Sequence, residues 1–175
     1  MNESNSTTSG TRHAPACAEP ALARTIDELA HHCFGCGPGN PQGLHLHFEV
    51  NSENLSAITA KCIVNLTRMH EGPPGYLHGG IIATLMDEAM SKLNRPLDIL
   101  AMTRHMGVDY LRPAPIGQPL TLMATHIRRE GRKVFHEAVL SSADGTVLAT
   151  AKGFFLVIDP AVIGRRRDGS ELEAV

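Results

Sequence analysis

Residues 79–96 read GGIIATLMDEAMSKLNRP, and this stretch decides the fold. Two glycines open it and Pro96 ends it. Apolar side chains between these ends recur at the spacing of one helical face, at Ile82, Leu85, Met86, Ala89 and Leu93. The stretch therefore predicts one long helix with a face to bury.

The apolar period changes to two on both sides of this helix, which is typical of half-buried strands. The predicted strands cover residues 43–50, 58–64, 103–112, 119–129, 132–142 and 146–158. A parallel doubly wound sheet would need helices between most strands, so that class is excluded. The order predicts an α+β fold in which an antiparallel sheet of five to six strands wraps around one long central helix. One sheet edge stays open in such a fold, which predicts a homodimer.

Composition limits the class of protein further. The chain has 175 residues, 42% of them hydrophobic and 19% charged, which is typical of one globular domain. The net charge of −2 argues against nucleic acid or an anionic membrane as partner. The N-terminal sequence does not resemble a secretory signal, so we expect a cytoplasmic protein with free thiols.

The two ends differ in composition from the middle of the chain. Residues 1–20 are rich in Ser, Thr, Asn, Ala and Pro and predict a flexible tail. Residues 21–32 predict a short helix, and residues 159–175 predict a polar tail. The folded domain is therefore expected over residues 21–158.

The start of the long helix carries the residues with chemical potential. Gly79 and Gly80 leave backbone N–H groups uncovered at the positive end of the helix dipole, where a carbonyl or an anion can approach closely. Asp87 lies about 130° from the centre of the apolar stripe, at the rim of the buried face. A partly desolvated carboxyl there has a raised pKa, which suits a general base. The alternatives are a solvated surface charge for Asp87 and a local cap for His78.

The sequence HGGIIATLMDEA, preceded by GPPGYL, resembles the helix signature of the hotdog-fold acyl-CoA thioesterases. The branch is that of the phenylacetic-acid-degradation and 4-hydroxybenzoyl-CoA thioesterases. CFGCGPGNPQGLHLHF and VDYLRPAPIGQPLTL are similar to the family's entry segment and to its strand after the helix. The likeness covers about residues 31–158. It implies a hotdog thioesterase domain that hydrolyses an acyl-CoA to free acid and CoA, with neither a metal nor an organic cofactor.

The resemblance also implies roles for individual residues. Asp87 would be the general base or the nucleophile at the thioester carbon. The Gly79 N–H, helped by Gly80, would polarise the thioester carbonyl. His78 would shape that pocket and contact the carbonyl. Thr103 would assist from the other subunit and orient the hydrolytic water.

Some alternatives stay open at the level of sequence. Relatives often carry Asn six residues before the His, where this chain has Gly72. Glu88 is a second candidate base, but it lies about 100° around the helix from Asp87. A non-catalytic acyl-CoA-binding or regulatory module and a purely structural homo-oligomer are the competing functions. Asp87 favours the enzyme, because a binding module needs no carboxylate at the carbonyl.

Two further clusters have a functional and a structural interpretation. Basic residues at one predicted hairpin would bind the phosphates of CoA or form a solvated turn; they are Arg128, Arg129, Arg132 and Lys133. The run His31-His32-Cys33-x-x-Cys36 invites a zinc site, but structural zinc needs four ligands, usually from two paired knuckles, and only one Cys-x-x-Cys is present. His70 or Cys62 would have to complete it, so we expect no metal.

The predicted assembly is a homodimer, and two such dimers are expected to form a dimer of dimers.

Overall fold

The computed structural model describes residues 32–159. Helix α1 spans Gly79–Ser91 and continues as a 3-10 helix over Lys92–Asn94, which ends before Pro96 as predicted. No helix in this part of the chain is long and apolar enough to span a membrane. The predicted tail 1–20, nearly all of the predicted helix 21–32 and the tail after Asp159 lie outside the described residues.

Six antiparallel strands form one sheet whose order is β1-β2-β4-β5-β6-β3. The strands are β1 (Glu49–Asn51), β2 (Thr59–Asn65), β3 (Ala101–Tyr110), β4 (Pro119–Glu130), β5 (Lys133–Ser142) and β6 (Val147–Val157). Helix α1 packs against β2 through β6 on one face of this sheet. The α+β architecture of one helix wrapped by an antiparallel sheet is thereby confirmed.

The strand predicted over residues 43–50 is wrong for most of its length. Only Glu49–Asn51 pair with β2. His45 has a φ of 48°, a left-handed conformation that interrupts an extended strand. The N–H of Leu44 and that of Leu46 bond instead to the carbonyls of Phe34 and Gly35. The alternating pattern is still partly used, because Leu46 is buried and its apolar neighbours Leu44 and Phe48 pack against the core.

The core lies between α1 and the sheet. The helix contributes long side chains without exposed surface, among them Leu85, Met86 and Met90. The facing strands contribute several fully or nearly fully buried small side chains, at Ala60, Ala124, Ala138, Ala149 and Ala151. Small residues on the sheet leave room for the long side chains of the helix, so the two layers interdigitate. Burying each of these long side chains stabilises the fold by roughly 1.5–3 kcal/mol.

A hydrogen-bonded polar chain crosses the apolar core. His136 Nε2 lies 3.1 Å from Asn94 Oδ1, and His136 Nδ1 lies 3.2 Å from His126 Nδ1. Because the Asn94 oxygen accepts, His136 Nε2 donates, and a neutral His136 then accepts from His126. Burial lowers the pKa of His136 to about 3, and the neighbouring His126 adds to the effect. Both rings are therefore satisfied in the neutral state.

Strand β3 is an edge of the sheet. Within residues 32–159 it pairs only with β6 and leaves its other side open. Met102, Tyr110 and the adjoining Leu111 are more than half exposed. A long edge with exposed apolar side chains is a template for pairing with another chain. The structure thus provides the open edge from which a homodimer is predicted.

Candidate active site

The amino end of α1 presents one free backbone donor. His78 is the N-cap, and its Nδ1 accepts a hydrogen bond from the Gly80 N–H at 2.9 Å. The N–H groups of Ile81 and Ile82 bond to the His78 carbonyl. Within residues 32–159 the Gly79 N–H has no hydrogen-bond partner. This corrects the expectation that Gly80 assists as a second donor, and it gives His78 a capping role.

The loop before the helix holds this end in place. The His78 N–H donates to the His70 carbonyl at 2.9 Å, and the Leu77 N–H donates to the Ala114 carbonyl at 2.8 Å. A side chain at position 72 would place its Cβ 2.9 Å from the Cα of His78. Gly72 therefore allows the loop to pack directly on His78, and an Asn would force this loop apart. The close packing of this loop on His78 therefore explains why the chain has Gly72 where relatives often carry Asn.

Tyr110 is a site residue that the sequence did not indicate. Its hydroxyl donates to the Gly79 carbonyl at 3.0 Å, from the far end of β3. A Cβ built at Gly79 would lie 3.6 Å from the tyrosine ring. The ring therefore covers one side of the helix start. No local pattern could reveal this contact, because it joins residues 31 positions apart.

Asp87 and Thr103 form the second half of the candidate site. Asp87 is half-buried, and Thr103 Oγ1 donates to its Oδ1 at 2.6 Å. Burial raises the pKa of Asp87, the hydrogen bond from Thr103 lowers it, and the charge of Glu88 raises it further, with a net increase. The expected rim position of Asp87 is confirmed. The contact lies within one chain, whereas the resemblance implied that Thr103 assists from another subunit.

The two halves of the site are far apart within one chain. Gly79 and Asp87 are eight residues apart in α1, which corresponds to about 12 Å along the helix axis. A thioester carbonyl is much smaller than this separation. One carbonyl group therefore cannot contact the Gly79 N–H and the Asp87 carboxylate of the same helix.

Glu88 is engaged elsewhere and does not point into this site. Its Oε1 forms an ion pair with Lys92 Nζ at 2.8 Å, and its side chain is only 12% exposed. Cys33 Sγ donates to Oε2 at 3.6 Å. A carboxylate held by these partners is a poor competitor for the role of base, which leaves Asp87.

The arginines at the β4–β5 hairpin make local contacts. Arg128 forms an ion pair with Glu130 at 2.7 Å and lies 3.9 Å from the Phe135 ring centre. The Nε atoms of Arg129 and Arg132 donate to the carbonyls of Gly131 and Val157. These contacts leave other guanidinium N–H groups for a further ligand.

Arg128 lies on the sheet face opposite α1. It is paired with Phe135, whose neighbour His136 bonds to Asn94 at the end of the helix, and side chains alternate along a strand. Beside it lies an open groove of about 480 Å³, whose lining includes Arg128, Phe135 and Phe154 but neither Gly79 nor Asp87. The arginines and the two halves of the candidate site are therefore not brought together within one chain.

Comparison with known proteins identifies the family. Residues 74–149 match the thioesterase superfamily. A crystal structure of a thioesterase superfamily protein is 32% identical and superposes with a TM-score of 0.68, covering 82% of this chain and 70% of that one. The chain belongs to the thioesterase superfamily, and its fold is the hotdog fold.

Two further matches carry more specific names. Acyl-coenzyme A thioesterase THEM4 of Xenopus laevis is 37% identical over 91 residues, which are 51% of this chain and 41% of that protein. The Streptococcus mutans protein smu.793, solved bound to acetyl CoA, is 17% identical with a TM-score of 0.56 and covers 64% of this chain and 89% of that one. This chain spans half or less of the length of the THEM4 proteins of Xenopus laevis and Bos taurus.

Proposed function

We propose that the protein hydrolyses an acyl-CoA thioester to a free acid and CoA. The observation that carries the proposal is the pair of groups just described, a free N–H at the start of α1 and a half-buried carboxylate hydrogen-bonded by Thr103. Thioester hydrolysis needs a donor for the developing oxyanion and a base for water. Relatives named acyl-coenzyme A thioesterase, and a hotdog neighbour solved with acetyl CoA, support the same class of substrate.

The catalytic site in this proposal is shared between two copies of the chain. The separation of about 12 Å along α1 means that Gly79 and Asp87 meet at one carbonyl only if they come from different subunits. The open edge of β3 supports a homodimer, because strand pairing there would bring a second copy beside Thr103 and Tyr110. Two equivalent sites then form in each dimer. A dimer of dimers stays a prediction.

The chemical steps follow from this arrangement. The Gly79 N–H of one subunit polarises the thioester carbonyl, while Asp87 of the other activates water. Thr103 occupies Oδ1 of Asp87, which leaves Oδ2 to accept the proton of that water. The water oxygen bonds to the carbonyl carbon, and the oxyanion forms at the N–H donor. The carbon–sulfur bond then breaks, and the CoA sulfur takes up the proton as the acid is released.

Direct attack by Asp87 is the alternative course. The carboxylate would displace CoA and form a mixed anhydride, which water would then hydrolyse. A single turnover in water enriched in oxygen-18 labels Asp87 itself when the course is direct attack and water adds to the aspartyl carbon of the anhydride. Water that adds to the acyl carbon labels only the released acid, as general-base catalysis does, so trapping of an acyl-enzyme with hydroxylamine decides between these two.

Binding of the rest of the substrate forms part of the proposal. The acyl chain would lie between helix and sheet at the dimer interface. Arg128, Arg129 and Arg132 would bind the phosphates of CoA, which guanidinium groups recognise through paired hydrogen bonds. His78 contributes by capping the helix start that holds the carbonyl. A cytoplasmic location stays a prediction.

A thiol-release assay with a panel of acyl-CoA substrates tests this function. The proposal expects release of CoA that depends on Asp87. The second candidate is a non-catalytic acyl-CoA-binding module on the same fold. Acyl-CoA binding without release of thiol from any member of the panel would select that module and reject the enzyme.

A further inference from the structure

A cluster of two thiols, a carboxylate and an ammonium group joins the loop before β1 to α1. Cys33 Sγ lies 3.6 Å from Glu88 Oε2. Lys92 Nζ lies 2.8 Å from Cys36 Sγ and 2.8 Å from Glu88 Oε1. Glu88 and Lys92 are one turn apart and face the loop together. The candidate catalytic site uses none of these groups, although Glu88 is next to Asp87 in the chain.

We propose that Cys33, Cys36 and Glu88 bind a zinc ion. Their two sulfur atoms and one carboxylate oxygen lie within 4.8 Å of one another. Zinc bonds of about 2.3 Å to sulfur and 2.0–2.2 Å to oxygen place tetrahedral ligands about 3.5–3.8 Å apart. The three atoms therefore need to approach one another by at most about 1.3 Å, a movement on the scale of small side-chain rotations.

The charges of the cluster balance when zinc is bound. Two thiolates and the Glu88 carboxylate carry three negative charges, and Zn²⁺ together with the Lys92 ammonium carries three positive charges. Lys92 is placed to donate to the Cys36 sulfur and to the Glu88 oxygen at the same time. Such donors outside the ligand shell orient zinc ligands and strengthen metal binding. Lys92 thus supports the ion and does not exclude it.

The backbone of the loop is shaped around the carboxylate. A Cβ at Gly35 would overlap the Glu88 carboxyl group, so glycine at this position lets that group lie directly against the backbone of the loop. The carbonyl of Gly35 is held by the Leu46 N–H at 2.9 Å, and the Gly37 N–H bonds to the Cys33 carbonyl at 2.8 Å. These bonds fix the turn that carries both thiols.

The donor set favours zinc over the harder cations. Mg²⁺ and Ca²⁺ take oxygen ligands, whereas two thiolates with one carboxylate suit Zn²⁺. Three protein ligands leave a fourth position for water. The sequence led us to expect no metal because it contains one Cys-x-x-Cys, which His70 or Cys62 would have to complete. Cys62 is buried in β2, and the His70 side chain accepts a hydrogen bond from the Thr67 N–H at 3.2 Å, while the third ligand comes from α1.

Metal titration of the reduced, chelator-treated full chain tests the site. We expect one Zn²⁺ per chain in competition with a chromogenic chelator, and a higher unfolding temperature in the presence of zinc. Co²⁺ should give tetrahedral absorption bands and a thiolate-to-cobalt charge-transfer band. The double variant Cys33→Ser/Cys36→Ser should lose both the zinc binding and the cobalt bands. Lys92→Met should weaken zinc binding about 10–100-fold. Cys62→Ala is the matched control and should bind zinc like the wild type.

Three results would overturn the proposal. The first is metal uptake by the wild type no greater than that of the double cysteine variant. The second is a cobalt complex without the charge-transfer band. The third is full zinc affinity in Glu88→Gln, which would remove the ligand from the helix. All readouts are independent of thioester hydrolysis, so they stand whether or not the proposed enzymatic function holds.

Discussion

Thr103 Oγ1 lies 2.6 Å from Asp87 Oδ1, a short hydrogen bond between the start of β3 and the rim of α1. Hydrogen bonds of this length to an ionised carboxylate are among the stronger ones in proteins. The bond orients the carboxyl group and opposes the increase in its pKa that burial causes. It links the half-buried acid to the edge strand from which we propose the dimer to form.

Replacing Asp87 with Asn should remove most of the thioesterase activity. The amide cannot accept the proton of water, and general-base assistance is worth about 10²–10⁴-fold. Initial rates of thiol release measure the loss, and Glu53→Gln in the exposed β1–β2 turn is the control. If Asp87→Asn retained turnover and Glu88→Gln lost it, the base would be Glu88.

Replacing Thr103 with Val should shift the pH dependence of kcat/KM. The hydrogen bond from Thr103 lowers the pKa of Asp87, so its removal raises that pKa further. Because the ionised carboxylate is the active form, the acidic limb of the profile moves to higher pH. Thr103→Ser keeps a hydroxyl and should restore the wild-type limb. If the acidic limb of the profile were unchanged in Thr103→Val, Thr103 would not act by setting the pKa of Asp87.

Gly79→Ala should separate activity from stability. The new Cβ would lie 3.6 Å from the Tyr110 ring, an ordinary contact, and Ala is the better helix former. Thermal unfolding should therefore be unchanged or slightly improved. The methyl group would hinder the carbonyl at the free N–H, and kcat should fall by up to about 10²–10³-fold, the value of an oxyanion donor. Undiminished kcat would place the carbonyl elsewhere.

Stability should fall in acid because His136 is held neutral. Burial lowers its pKa to about 3 from an ordinary value of 6.5, so the unfolded chain binds the additional proton between these values. The free energy of unfolding should decrease by on the order of 1 kcal/mol per pH unit from about pH 6.5 toward pH 3. This loss adds to that from other groups.

His136→Gln provides the comparison for that prediction. Glutamine can still donate to Asn94 and accept from His126, but it does not titrate. Denaturant unfolding at several pH values should give a shallower slope for this variant, and the exposed His47→Gln should keep the wild-type slope. Equal slopes in all three proteins would contradict a neutral His136.

The apolar periodicity of the sequence was sufficient to predict the helix and most of the strands. The stripe of α1 placed Asp87 at the rim of the core, and alternation located five of the six strands to within about two residues. The segment around His45 was predicted as a strand, but its backbone N–H groups bond to the carbonyls of Phe34 and Gly35. Here a tertiary contact overrides the alternating pattern.

Contacts between distant segments lay beyond the sequence. Tyr110 contacts Gly79 across 31 positions of the chain, and Cys33 contacts Glu88 across 55 positions. Neither contact leaves a local pattern. The separation of Gly79 and Asp87, in contrast, could be predicted from the sequence. The rise per residue is the same in every α-helix, and eight residues correspond to about 12 Å.

The most direct test of the shared site is complementation between two inactive variants. Asp87→Asn and Gly79→Ala are co-expressed with different tags, and the mixed dimer is purified through both tags. In a shared arrangement one of its two sites carries both changes and the other carries neither. We predict that the mixed dimer regains thioesterase activity equal to one intact site, well above either parent. Activity no higher than that of the parents, in a confirmed mixed dimer, would contradict the account.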